Sequence, residues 1–414
     1  MISDSHPFKE TQTMRAGPSQ EDIRRHNLGA LLRHVHLGGP ISRAELTAKM
    51  GLNRSTIMAL TSDLTAAGLV REELPRETGR AGRPSLVVRP ESARVYVFAF
   101  DVGPDRLAVA RVGLGGVILD RREAVRRRGP FALEELAGML AGFARQMRRK
   151  TRDDTVCVGA AAAVSGGVRK GDGVIRFGPN LNADEVPFGE ELGRRLGLGL
   201  PVSVGNDANL AALAEHSRGT AAAVRDLIYL HGDVGIGGGI IAGGHLVGGH
   251  DGYGGEVGHM VVNPGGRACG CGSHGCLEAE VGERAVLDAA GRVGGDQQGR
   301  EAVRAVVDAA DRGDIVAQKA LKRVGDWLGL GVANLVNIFN PEMVIFGGTL
   351  RDIYLGSAAQ VRTRLALHAM APQRERLRLR TSSLADDATL VGAAELAFAH
   401  VLSDPLEVLA RASG

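Results

Sequence analysis

His259 and three of the chain's four cysteines, Cys269, Cys271 and Cys276, fall within eighteen residues. A Cys3His set suits tetrahedral zinc, because borderline-soft Zn2+ prefers thiolate and imidazole, and four protein ligands leave no open position for catalysis. The spacing predicts one structural Zn2+ per chain, held by the loop 259–276. Gly270, Gly272 and Gly275 interleave with the cysteines and allow the tight turns that aim closely spaced sulfurs at one point. With three cysteines committed to metal, a disulfide framework is argued against and a reducing, cytoplasmic setting is expected. Cys157, alone in an apolar run, reads as a core residue.

Other polar groups stand where chemistry is possible. Asn206 and Asp207 follow the run Val202-Ser203-Val204, which puts them at a strand's carboxyl end, where open α/β sheets bind ligands. Glu256 and Glu278 are attached to the metal loop, whose rigidity suits a precise site. Each has a plainer reading as well. Asn206 could cap the helix that follows, and the glutamates could be solvated carboxylates.

The elements that must position these residues begin at about residue 93. Val95 to Asp101, Leu107 to Val112 and Gly116 to Asp120 read as a meander of strands. Helical patterns at 131–149 and 187–196 alternate with strands near 155–164 and 201–204, which is α/β organisation. Leu227 to Leu230, Gly238 to Ala242, a helix-rich region from about 280, Met343 to Phe346 and a terminal helix near 389–401 predict a second lobe. No strict sequence repeat relates the halves.

The first ninety residues have a different texture. They hold 13 Lys/Arg against 9 Asp/Glu, so all the excess positive charge of a chain with net charge +3 lies there. Residues 21–37 predict a first helix with Ile23, Leu28, Leu31 and Leu32 as its apolar stripe. Ser42-Arg43-Ala44-Glu45 is a capping box for a second helix to about Met50. Gly51-Leu52 makes a turn, Asn53 can cap a third helix, and Ile57, Leu60 and Leu64 fall on its buried face. Two short helices joined by a tight turn spell helix-turn-helix. Arg54, Ser55 and Thr56, near the start of the third helix, occupy the part of a recognition helix that meets base edges and phosphates. Gly79 to Pro84 reads as a basic wing whose Arg80 and Arg83 contact phosphate or enter the minor groove. The domains expected are a disordered tail over 1–20, a winged helix-turn-helix over 21–90 and a two-lobed α/β unit over 93–402. No apolar run reaches the ~20 residues that cross a bilayer, so no membrane association is expected.

Asp101-Val102-Gly103, Gly205-Asn206-Asp207-Ala208-Asn209, Gly235-Ile236-Gly237-Gly238-Gly239, Gly255-Glu256-Val257-Gly258-His259 and Cys269 to Glu278 resemble, in order, the signature of the ROK family (repressors, open reading frames, kinases). The N-terminal unit resembles that of the family's xylose- and N-acetylglucosamine-type sugar repressors. The resemblance implies an actin-like sugar kinase fold, ribonuclease H-like in topology, with sugar held between two α/β lobes. It makes Asp207 the match of the kinases' general base. Glu256, His259 and Glu278 match sugar-contacting positions, and Asn180 and Asn206 are further candidates. A sugar presents a ring of hydroxyls, each donor and acceptor, which carboxylates and amides can meet. His259 can bind zinc through one ring nitrogen and face ligand with the other.

The phosphate side departs from the family's kinases. Their Gly-Thr pair after Asp-x-Gly stands here as Pro104-Asp105 after Asp101-Val102-Gly103, losing an N–H and adding a negative charge. Their Gly-Thr-Gly stands as Asp233-Val234-Gly235. The expectation is a non-enzymatic, sugar-responsive repressor that binds double-stranded operator DNA as a homodimer or homotetramer. The alternatives are an ATP-dependent sugar kinase with an added DNA-binding domain, and a constitutive DNA-binding protein whose kinase-like lobes are structural.

Overall fold

The computed structural model describes residues 19–75, 85–126, 128–129, 132–178, 181, 183–293 and 298–413. The expected tail up to residue 18, the wing Gly79 to Pro84 with Arg80 and Arg83, and Asn180 lie outside these residues.

The N-terminal unit contains α1 (Gln20–Gly38), β1 (Ile41–Ser42), α2 (Arg43–Met50), α3 (Arg54–Ala66), β2 (Val70–Glu73) and β3 (Val87–Pro90). Its three strands form one sheet in the order β1-β3-β2, all pairs antiparallel. Every helix start carries a cap: Ser19 and Ser42 form capping boxes with Asp22 and Glu45, and Asn53 accepts from the Thr56 N–H. The sequence missed the first of these, so α1 begins at Gln20. Gly51 in the left-handed region ends α2 and makes the tight turn. Leu28, Leu31 and Leu32 are buried as expected, but Ile23 is 48% exposed. The buried apolar stripe of α1 begins at Leu28.

The first lobe holds β4 (Val95–Val102), β5 (Arg106–Gly113), β6 (Val117–Val125), α4 (Leu133–Arg148), β7 (Val156–Val164), β8 (Gly167–Val168), β9 (Ile175–Gly178), β10 (Ala183–Val186), α5 (Phe188–Leu196), β11 (Val202–Asn206) and α6 (Asp207–Arg218). The second holds β12 (Leu227–Gly232), β13 (Ile236–Ala242), β14 (His245–Leu246), α7 (Leu277–Val281), α8 (Glu283–Ala289), α9 (Gly299–Asp311), α10 (Ile315–Phe339), β15 (Met343–Gly348), α11 (Thr349–His368), α12 (Ala371–Arg374) and β16 (Arg378–Thr381). Helix α13 (Ala388–Ser403) then returns to pack on α6, β4 and β7 of the first lobe, and α14 (Pro405–Ser413) follows it.

The two large sheets have one plan. In β6-β5-β4-β7-β11 the first three strands are antiparallel neighbours and the last two run parallel to β4; β14-β13-β12-β15-β16 repeats that arrangement about β12. This is the actin-like, ribonuclease H-like topology, duplicated in structure with no duplication in sequence. The central strands are mostly apolar, and all eight residues of β4 are buried, Asp101 among them, as strands covered on both faces require. Cys157 lies on β7 against the first-lobe core, where burial pushes its thiol up to about 11. No helix among the described residues is long and apolar enough to cross a membrane.

The N-terminal unit is not tethered loosely to the lobes. A single apolar cluster runs from Leu28, Leu32, Ile57 and Val88 through Val97 and Ala161 to Leu390 and Val401.

Candidate functional site

Strands β7 and β11 pair in parallel up to Val164↔Asn206, so Ser165, Gly166, Asn206 and Asp207 emerge side by side at their carboxyl ends. Asn206 does cap α6: its Oδ1 accepts from the Asn209 N–H at 3.0 Å, and its Nδ2 donates to the Gly166 carbonyl at 3.0 Å. Its amide therefore joins the two loops as much as it lines a cavity. The Asp207 Oδ1 accepts from the Ala208 N–H at 2.7 Å. Burial pushes the Asp207 carboxyl up to about 7 against that hydrogen bond, helped by the charges of Asp101 and Glu256.

The second lobe closes the site. Asp233-Val234-Gly235 turns between β12 and β13, and the Ile236 N–H after it donates to Glu278 Oε2 at 3.0 Å. A 3-10 turn, Val257–His259, brings His259 and Glu256 in from the opposite side. The result is a cavity of about 340 Å3 lined by Asn206, Asp207, Glu256, His259 and Glu278, with Ser165 and Gly166 beside them. Five of the six sugar candidates are thus brought together. Sequence reasoning passed over Phe177 of the short strand β9 and Tyr253 of a loop, which also line the cavity, because single aromatic residues carry no spacing signal.

The metal candidates converge. One donor atom from each of His259, Cys269, Cys271 and Cys276 lies within 4.8 Å of all the others. Cys271 and Cys276 sulfurs are 3.7 Å apart, and Cys269 Sγ is 3.6 Å from His259 Nδ1. Sulfurs at about 2.3 Å and a nitrogen at about 2.0 Å from one tetrahedral centre would stand about 3.5–3.8 Å apart, so the donor set fits Zn2+. The other ring nitrogen, Nε2, is 4.0 Å from Glu256 on the cavity side. Gly272 and Gly275 adopt the positive φ expected of them. Glu280, which the sequence gave no reason to select, is buried and braces the loop by accepting from the Asn263 amide at 3.1 Å and the Arg267 N–H at 2.8 Å.

A second cavity of about 910 Å3 shares Asp207, His231 and Asp233 with the first and runs past Gly103, Asp105, Gly348 and Thr349. Asp105 stands at its edge, and Pro104 beside it is buried. Arg128 Nη2 donates to Asp105 Oδ2 at 2.6 Å and to Glu283 Oε2 of the second lobe at 2.8 Å, while Glu283 Oε1 accepts from the Gly299 N–H at 2.8 Å. An ion triad spanning both lobes therefore fills this edge. Desolvation pushes the carboxyl of the half-buried Asp233 up to about 7 against the pull of His231.

On α3, Arg54 and Ser55 are exposed at the helix start and Thr56 is half-buried. Met58, 53% exposed, extends the same outward surface.

Residues 97–400 match the ROK family. The chain belongs to that family. The xylose repressor of Caldicellulosiruptor bescii is 29% identical to this ROK chain over 380 residues, covering 88% of it and 93% of the repressor. A solved ROK family transcriptional regulator, described as a homologue of the Escherichia coli MLC protein, superposes with a TM-score of 0.77 at 25% identity over 95% of this ROK chain and 100% of that one. A ROK family glucokinase from Streptomyces griseus, solved with glucose and AMPPNP, gives 0.62 at 30% identity and covers 99% of its own length but 73% of this ROK chain. The likeness to the regulator extends into the N-terminal unit.

Proposed function

We propose that this ROK protein is a sugar-responsive, DNA-binding transcriptional repressor. The observation that carries the reading is the likeness to a ROK regulator over 95% of the chain, N-terminal unit and lobes together. In this account residues 21–90 bind operator DNA through Arg54, Ser55 and Thr56, with Arg80 and Arg83 on phosphate. Residues 93–402 hold a sugar between the lobes through Asp207, Glu256, His259 and Glu278, with Asn206 fixing the loop and Asn180 a further contact. Asp207 accepts from a sugar hydroxyl in place of acting as a base.

The protein is not an enzyme in this reading. Pro104 offers no N–H to a phosphate, and Asp105 with its Arg128–Glu283 partners places a closed ion triad at the phosphate edge. Val234 likewise supplies no hydroxyl in the second loop. Zn2+ is the ion the Cys3His set suits, and when bound it supplies a rigid cross-link holding the loop that carries His259 and Glu278. A cytoplasmic homodimer or homotetramer places two recognition helices on the half-sites of an operator.

Calorimetry with a panel of hexoses, pentoses and N-acetylated sugars, with and without ATP, tests the reading. One sugar should bind at about one per chain whether or not ATP is present, and Asp207→Ala should lose it at a cost of about 1–3 kcal/mol. Binding of ATP, or of no sugar at all, would contradict it.

A further inference from the structure

We infer that α6 carries the sugar response from the cavity to the DNA-binding unit, with Arg218 as the residue that positions that unit on the lobes; this rests on the reading of the chain as a sugar-responsive repressor. Helix α6 begins at Asp207 in the cavity and ends at Arg218, about 17 Å away at 1.5 Å per residue. There it meets α1. Arg218 Nη1 donates to the carbonyls of His36 at 3.1 Å and Gly115 at 2.9 Å, and its Nε donates to Glu395 Oε1 at 2.5 Å. His36 Nδ1 accepts from the Gly115 N–H at 2.9 Å, and its Nε2 lies 3.1 Å from Glu395 Oε2 and 2.6 Å from Arg218 Nη2.

The three side chains come from α1, α6 and α13, and their exposures are 0%, 13% and 6%. Burial opposes ionisation of Glu395, but His36 and Arg218 outweigh it and hold the carboxyl below its usual range. A charge network this dry tolerates little change in geometry, because a displaced partner leaves a buried charge unpaired. The backbones are in contact as well. A Cβ at Gly392 of α13 would lie 2.0 Å from the Leu210 carbonyl of α6, and one at Gly29 of α1 would lie 2.5 Å from the Leu402 carbonyl of α13. No slack remains between the three helices, so a shift of α6 on sugar binding must move α1. Helix α1 in turn holds α3 through Arg24–Asp63 at 2.6 Å.

A static docking role would predict loss of stability alone; coupling predicts loss of the response with binding retained. The test uses the full chain, a duplex that the protein selects from a random pool, and D-xylose, D-glucose and N-acetyl-D-glucosamine as probes. The unsubstituted protein should show a change in operator affinity of about fivefold or more with one of them, and Arg218→Ala should reduce the change to under about twofold. Its sugar affinity and sugar-free operator affinity should both stay close to those of the unsubstituted protein. Glu395→Gln should behave alike. A full response in either variant, or a parallel loss of sugar binding, would overturn the coupling role. Should neither variant fold, amide exchange of the unsubstituted protein decides: sugar should alter protection in α1 between Leu28 and Gly38 as well as in α6, and an operator response without any change in α1 would overturn the inference. An unsubstituted protein whose operator affinity responds to none of the three sugars would overturn the repressor reading and the coupling together.

Discussion

Asp207 shows how one buried carboxylate ties stability to pH. Its carboxyl is raised to about 7 by burial and by neighbouring negative charge, so the folded, ligand-free protein binds its proton more tightly than the unfolded chain does. Stability from this group is therefore full below the unfolded value of about 4 and is lost as pH rises towards 7. Asp207→Asn should raise the melting temperature relative to the unsubstituted protein at pH 8, by an effect on the order of 4 kcal/mol at most, and leave it unchanged below about pH 4. An equal difference at both pH values would contradict this assignment. At the metal cluster, the protein purified without chelator should carry about one zinc per chain by elemental analysis. Cys271 is exposed, so Cys271→Ser costs little packing and should release the ion; retention of zinc by that variant would remove Cys271 from the ligand set. The cluster was legible in the sequence because four ligands within eighteen residues need only local turns. His36, Arg218 and Glu395 were not, since each is an unremarkable helical residue until long-range packing brings them together.

At the scale of elements, caps and periodicity located the helices well. Ser42-x-x-Glu45 and Asn53 act as expected, because capping is a contact over three residues. The duplicated sheet order was invisible, since it is a relation between strand pairings and not between sequences. The return of α13 to the first lobe was equally hidden. It has a consequence for the N-terminal unit, whose apolar cluster is shared with the lobe. Leu32 of α1 is fully buried in that cluster, and Leu32→Ala should cost about 2–5 kcal/mol. Calorimetry should show the unit and the first lobe destabilised together, in one transition; an unchanged lobe transition beside a weakened early one would show that the unit folds by itself. The exposed start of α3 offers the cleaner probe of DNA binding. Arg54→Ala should weaken operator binding in a fluorescence anisotropy titration without changing the melting temperature, by about 1–3 kcal/mol if the residue reads a base.

For the whole molecule, the account joins a sugar cavity between lobes to a DNA-binding unit packed on one of them. The Asp105–Arg128–Glu283 triad spans the two lobes at the edge of the larger cavity. Coupling of about 1–3 kcal/mol suffices for control, because it shifts affinity roughly 5- to 150-fold. The central claim is that sugar alone governs operator affinity. The most direct measurement is operator affinity of the full chain at saturating sugar, with and without Mg-ATP, while ADP is followed in the same samples. The account predicts a shift of about fivefold or more with sugar, the same shift with ATP present, and no ADP. Sugar-dependent ADP formation that disappears in Asp207→Ala would contradict it and make the chain a kinase that also binds DNA.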